Sequence, residues 1–154
     1  MFKEGTDTRE PLIKQLIEDI SLGACVMVFN ESFEKTRIKE MARDFPEYAT
    51  RLLEINKNMV DLAVPFQKKY YYDYRLQGKH SIKKVMPLLA PHMADAYEKL
   101  DLVHNGGEAM LIFPKLVEMD EEERERHREA LLEYCKLDTL AMVEILKRLR
   151  EMVG

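Results

Sequence analysis

The sequence predicts an α/β domain that is predominantly helical, with its sheet reduced to one recognisable strand. Three observations lead there. One short apolar run, Ala24-Cys25-Val26-Met27-Val28-Phe29, stands between Gly23 and Asn30; its length and lack of a polar face fit a buried strand. Apolar residues on both sides of it recur at helical spacing. Near the C-terminus, Leu131, Cys135, Asp138, Met142, Ile145, Leu149 and Met152 follow alternating steps of four and three, the period of a core-facing helical stripe.

Taken in order, residues 9–21 form the first helix, with Leu12, Ile13, Leu16, Ile17 and Ile20 on one face and Pro11 suited to the first turn. Gly23 stops it and the 24–29 strand follows. Asn30 or Ser32 can cap a helix running to about Asp44. Pro46 starts another, through Tyr48, Leu52, Leu53 and Ile55 towards Met59. The tyrosine-rich segment 65–80 is irregular or extended. Ser81 caps a short helix to about Leu89, closed off by Pro91, and Asn105-Gly106-Gly107 turns into a helix through Met110 and Phe113. From Asp120 a long helix runs to the end, with a bend allowed near Tyr134–Thr139. A single strand cannot make a sheet. The expectation is therefore that its partners lie outside this chain or come from another one.

The chain has 154 residues, enough for one domain over 1–154 with its own core and too few for two, with residues 1–23 as a lead-in helix. No apolar run reaches the ~20 residues that span a bilayer, so no membrane role is expected. The start, Met1 to Asp7, is polar and acidic and does not read as a signal peptide. Two cysteines, Cys25 and Cys135, lie far apart and in no metal-binding spacing, which fits a cytoplasmic location. The net charge of −4 disfavours generic binding of nucleic acid, so any such role needs a local basic patch.

Three places carry candidate chemistry. Asp138 sits in the apolar stripe of the last helix, and Tyr134 lies one turn earlier on nearly the same face. An inward carboxylate must be paired, hydrogen-bonded or metal-bound. Asp138 is thus either a carboxylate satisfied by a backbone amide or an arginine, or a ligand. Glu34 falls in the first turn after the strand, where open α/β sheets bind ligands and where an acid also suits a helix N-terminus. Between 67 and 84, Lys68, Lys69, Arg75, Lys79, Lys83 and Lys84 face one acid, Asp73, a local charge of +5 interleaved with four tyrosines. Cations for phosphates and rings for bases are what a single strand requires. A solvated loop whose tyrosines pack on the core has the same composition.

The pair Asn30-x-x-Phe33-Glu34 and Tyr134-x-x-x-Asp138 resembles the second and third motifs of the DEDD (DnaQ-like) 3′–5′ exonucleases, in the same order. Val60-Asp61-Leu62 and Ser81-Ile82-Lys83-Lys84-Val85 resemble stretches between those motifs. More closely, nearly the whole chain resembles an uncharacterised bacterial family, domain of unknown function 2779, through Val28 to Arg37, Ser81 to Val85, Asn105 to Met110 and Tyr134 to Met142. The resemblance implies a truncated ribonuclease H-like fold lacking its first strands. It also implies that the chain is the C-terminal part of a larger nuclease-like protein, whose upstream region carries the first motif, Asp-x-Glu.

Two departures stand out. Glu34 replaces the superfamily's Asp, and no Asp-x-Glu lies on a strand ahead of residue 24. By resemblance, Asp138 and Glu34 would bind Mg²⁺ or Mn²⁺, Tyr134 would orient the attacking water, and Asn30 would support the loop. Asn30, Lys68, Lys69, Arg75, Lys83 and Lys84 would contact nucleic acid. The expected function is a partial metal-dependent 3′–5′ exonuclease-like domain, inactive alone. Its competitors are a nuclease-derived nucleic-acid-binding module without catalysis and a helical protein-interaction domain. The exposed strand edge predicts self-association as a strand-paired dimer.

Overall fold

Residues 7–154 are described in this computed structural model. The polar start, read as carrying no signal peptide, lies outside them up to Thr6. Helices dominate, joined by one two-stranded sheet. The chain divides into two compact units, Met1–Val64 and Pro65–Gly154.

In the first unit, α1 (Arg9–Asp19) precedes β1 (Val26–Val28), and α2 (Ser32–Asp44) leads through a 3₁₀ turn at Pro46–Tyr48 into α3 (Ala49–Lys57) and β2 (Met59–Asp61). The strand expected to lack a partner has one in the same chain. β1 and β2 pair in parallel, Val26 opposite Met59 and Val28 opposite Asp61, and Leu62 N–H extends the ladder to the Val28 carbonyl at 2.8 Å. Parallel strands need a long crossover, and α2 with α3 supplies it. The second strand was hidden because Met59 continues the apolar spacing of Leu52 and Ile55. The helix instead stops at Lys57, with Asn58 as its C-cap, and three residues are too few to show a period of two.

Ile13, Val28, Ile38, Ala42, Leu52, Ile55 and Met59 form the core of this unit. Buried Asn56 donates from Nδ2 to the Lys35 carbonyl at 2.8 Å, satisfying its amide while tying α3 to α2. Leu52 is fully buried in this small core. Leu52→Ala is expected to cost about 2–5 kcal/mol in urea unfolding followed by circular dichroism.

Past the single turn α4 (Val64–Gln67), the second unit has a 3₁₀ turn at Tyr74–Leu76, α5 (Ile82–Leu89), α6 (Gly106–Ile112), a 3₁₀ segment at Phe113–Glu118 and α7 (Glu121–Val153). Ser81, Asn105 and Asp120 stand at the N-caps of α5, α6 and α7, as their residue types predict. Asn105 and Glu108 form a reciprocal cap: Glu108 N–H donates to Asn105 Oδ1 at 3.0 Å, and Asn105 Nδ2 donates to Glu108 Oε1 at 2.6 Å. The Asn-Gly-Gly-Glu stretch thus has a structural use of its own.

α7 is continuous and packs on α5. Its buried positions are Tyr134, Ala141 and Ile145, with Asp138 half-buried among them. Cys135 and Met152, expected in the core, are exposed. The packed face runs 134, 138, 141 and 145, about one residue from the predicted stripe; Tyr134 reaches the core and displaces Cys135 to the surface. No described helix is long and apolar enough to cross a membrane.

Candidate active-site residues in the two units

At the carboxyl ends of β1 and β2, in the first unit, the chain turns sharply into α2. Asn30 takes a left-handed conformation (φ 68°), and the first helical residue is Ser32. Neither Asn30 nor Ser32 caps the helix with its side chain, contrary to expectation. Ser32 is already inside the helix, and Asn30 is turned by its positive φ into accepting a bond from Ser32 Oγ at 3.4 Å.

The capping acceptor comes from the neighbouring strand. Asp61 Oδ1 accepts from the Asn30 amide at 2.8 Å and the Ala63 amide at 2.8 Å, and Oδ2 accepts from the Glu31 amide at 3.1 Å. Spacing could not reveal this role, because the register of β1 on β2 alone brings Asp61 to that turn.

Glu34 lies in the first turn of α2, as predicted. Its Oε2 is shut off from solvent and has no hydrogen-bond partner among the described residues. Burial first, and then the nearby Asp61 charge, pushes its carboxyl above the ordinary carboxylate range, against the opposing pull of its own backbone amide. A buried acceptor without a donor is a costly arrangement. Glu34→Gln is therefore expected to stabilise the apo chain by about 1 kcal/mol, read as a higher urea midpoint at neutral pH.

Tyr134 and Asp138 are brought together in the second unit, and two further residues join them. Tyr97 donates from its hydroxyl to Asp138 Oδ1 at 2.6 Å. Its ring lies 6.4 Å from that of Tyr134. Lys83 places its ammonium 4.8 Å from the Tyr97 ring centre and 5.8 Å from that of Tyr134, and donates to the His104 carbonyl. The donor on Asp138 is thus a phenol, neither the backbone amide nor the arginine expected of a satisfied carboxylate.

Burial, reinforced by hydrogen bonding to Asp138, raises both phenols well above their usual range, so both remain protonated donors at any physiological pH. Tyr97 went unnoticed in the sequence because it follows no helical stripe and stands in an irregular stretch between Met93 and Val103. An added Cβ at Gly106 would stand 3.7 Å from the Tyr134 hydroxyl, which marks the start of α6 as its neighbour.

The basic segment separates into engaged and free cations. Arg75 is bound by Asp73 at 2.5 Å, and Asp73 also accepts the Arg75 amide at 2.9 Å as the cap of the 3₁₀ turn. Arg75 holds the Asp73 carboxyl down at about 2, so the pair is neutral as a unit. Lys83 is engaged as described. Lys68, Lys69 and Lys84 are exposed without an ion-pair partner among the described residues.

The donor types suit a hard divalent ion, since carboxylate oxygens are what Mg²⁺ and Mn²⁺ prefer. Their number does not suffice. Among the described residues, no group of three or more His, Cys, Asp or Glu side chains could hold a metal. Glu34 belongs to the first unit, with Asn30, and the other candidate residues belong to the second.

Residues 1–81 match the family described as Domain of unknown function (DUF2779). The chain belongs to this family. It is 32% identical over 112 residues to the uncharacterized protein UU173 of Ureaplasma parvum serovar 3, covering 68% of the chain and 16% of that protein. It is also 32% identical over 129 residues to the uncharacterized MG366 homolog of Mycoplasma pneumoniae, covering 77% of the chain and 19% of that protein. This DUF2779 chain therefore spans less than a fifth of the length of either relative. No solved structure matches it. Of the proposed site residues, Asn30 and Glu34 fall within the matched family region, along with Lys68, Lys69 and Arg75, whereas Tyr134 and Asp138 lie beyond it.

Proposed function

We propose that the chain is part of a metal-dependent 3′–5′ exonuclease of the DEDD type on a ribonuclease H-like fold, completed by an Asp-x-Glu strand that it does not contain. The observation that carries the proposal is Glu34. A carboxylate oxygen is buried without a donor, just beyond the carboxyl end of a parallel strand. That is where α/β folds place ligands, and a cation would satisfy it.

In this mechanism Asp138 would be a metal ligand, Glu34 would be a ligand or stand beside one, and Tyr134 would orient water, with the remaining ligands supplied by the Asp-x-Glu strand. The chemistry that Mg²⁺ or Mn²⁺ would supply there is Lewis acidity towards water and the departing oxygen. The rest of the work falls to the chain. Tyr134 stays a phenol, whose hydroxyl can donate to or accept from a water, which suits it to hold one. Tyr97 holds Oδ1 of Asp138 and so fixes the direction of the carboxylate. Among the described residues β1 pairs with β2 alone, so its other edge could take an added strand, whether from the same polypeptide or from a second copy.

A second reading is favoured by the Tyr97 bond on Asp138, which engages one oxygen of the carboxylate without a metal. Under it the chain is a nuclease-derived module that binds nucleic acid without cutting it. Labelled oligonucleotide digestion separates the two, using the chain alone and the chain preceded by the Asp-x-Glu segment. Only the exonuclease gains Mn²⁺-dependent cleavage from the 3′ end when that segment is supplied.

A further inference from the structure

Exposure along the tyrosine segment alternates residue by residue. Tyr70, Tyr72 and Tyr74 are 77%, 72% and 77% exposed, while Tyr71 and Asp73 between them are half-buried. Tyr71 packs edge-on against Phe66, with ring centres 5.4 Å apart. Asp73 has an extended backbone (φ −136°, ψ 128°) and is occupied as the cap of the following turn. One set of side chains therefore anchors the segment to its unit and the other is presented to solvent, along a chain that bends at Tyr70 and Tyr71 and enters the 3₁₀ turn at Tyr74.

Three exposed phenols are costly to leave in water without use, since each keeps a large apolar ring hydrated. The cations around them are equally unengaged. Lys68, Lys69, Lys79 and Lys84 are exposed and have no ion-pair or hydrogen-bond partner for their ammonium groups among the described residues. Asp73 is neutralised by Arg75, so no free acid offsets these lysines anywhere between 68 and 84.

We infer that Tyr70, Tyr72 and Tyr74 form a stacking platform for the bases of a single-stranded nucleic acid, with Lys68, Lys69, Lys79 and Lys84 neutralising its phosphates. The platform rests on the nucleic-acid part of the function proposed above and is independent of its metal chemistry. Three features favour a single strand over a duplex. Rings can stack only on bases whose faces are open. Lysines on flexible stems follow a flexible backbone without demanding groove geometry. The segment lies outside any regular helix of the length a major groove would accept. Stacking is tolerant of base identity, so binding is expected to be largely indifferent to sequence. Arg75, expected from the sequence to contact phosphate, is assigned instead to holding Asp73.

The test is fluorescence anisotropy with the whole chain, using dye-labelled oligothymidine and oligouridine of about 12 nucleotides and a blunt duplex of the same length. Both single strands are expected to bind more tightly than the duplex; the preference between them tells DNA from RNA. Alanine at Tyr70, Tyr72 or Tyr74 should weaken single-strand binding roughly 5- to 100-fold each. Phenylalanine at the same positions should leave it within about 2-fold, because the ring is kept. Lys68→Gln and Lys69→Gln should each reduce the slope of log K against log salt by about 0.7.

The three tyrosines are exposed, so an unchanged circular dichroism spectrum and melting temperature are expected for every variant. Failure of the chain to bind either single strand in low salt would overturn the inference. So would equal binding of the duplex, alanine variants that bind like the parent, or binding of anionic lipid vesicles in place of the oligonucleotides. Metal-dependent cleavage is scored separately, so loss of the exonuclease reading leaves the platform standing, and the reverse holds too.

Discussion

With the Asp-x-Glu segment supplied, Asp138→Asn is expected to abolish Mn²⁺-dependent release of nucleotides from the 3′ end, with a fall of about a thousandfold or more in rate. A metal ligand contributes several kcal/mol of charge stabilisation, and about 4 kcal/mol is a factor of a thousand. Asparagine is the informative replacement. Its amide oxygen still accepts the 2.6 Å bond from Tyr97, so the packing of α7 is kept while the charge is lost. A variant that melts with the parent protein and does not cut would support a ligand role. A variant that cuts at the parental rate would sink the exonuclease proposal, as would a completed protein that never cuts.

Asp61→Ala is expected to destabilise the first unit by about 2–4 kcal/mol. Three backbone amides, those of Asn30, Glu31 and Ala63, donate to this one carboxylate. Bonds to a charged acceptor are worth more than neutral ones, and the part-buried amides of Glu31 and Ala63 would lose their partner outright. Asn30 also holds a left-handed backbone that those bonds help to maintain.

Asp61→Asn should cost less, because Oδ1 can still accept from Asn30 and Ala63 while an amide NH₂ faces Glu31 in place of Oδ2. Urea unfolding of parent, D61N and D61A should therefore give midpoints in that descending order. Equal midpoints would show that the strand-end turn does not depend on Asp61.

Glu34 behaves in the opposite sense. Its folded-state carboxyl lies above its unfolded value, so the charged form costs stability at neutral pH. The cost vanishes as pH falls below the ordinary carboxylate range, because Glu34 is then protonated in both states. The stabilisation predicted for Glu34→Gln should shrink accordingly on acidification. Millimolar Mn²⁺ should stabilise the parent protein more than this variant, through binding to the folded state.

Much of the helical framework was legible because its determinants are local. Asn105 and Asp120 announce helix starts, since a capping side chain acts on amides two or three residues away, whereas Ser81 holds the N-cap position of α5 without a side-chain bond. Glu34 in the first turn of α2 and the Tyr134–Asp138 pair on α7 were legible for the same reason, as positions one turn apart on a helix are neighbours by geometry. β2 was not. Three residues leave no periodic trace, and Met59 mimics the helix before it. Nor was Tyr97, whose bond to Asp138 spans 41 positions.

The basic patch lies between these cases. Its composition and local charge could be read directly, but composition does not distinguish a ring in solvent from a ring in the core. Tyr71 took the packed option and Tyr70, Tyr72 and Tyr74 the exposed one. Arg75 and Lys83 carry the same charge as Lys68 and Lys69, yet the first is held by a carboxylate and the second by a carbonyl and two rings.

By itself, then, the sequence determined family membership, the succession of helices, the caps of α6 and α7 and the placing of Glu34 and Asp138 in helices, all matters of nearest neighbours along the chain. Tertiary structure alone decided that β1 finds its partner within the chain, that Asp61 is satisfied and Glu34 is not, and which cations remain free. The physical reason is that the burial and pairing of a polar group depend on what is packed beside it. At Asp61 and at Asp138 those neighbours arrive from 31 and 41 residues away.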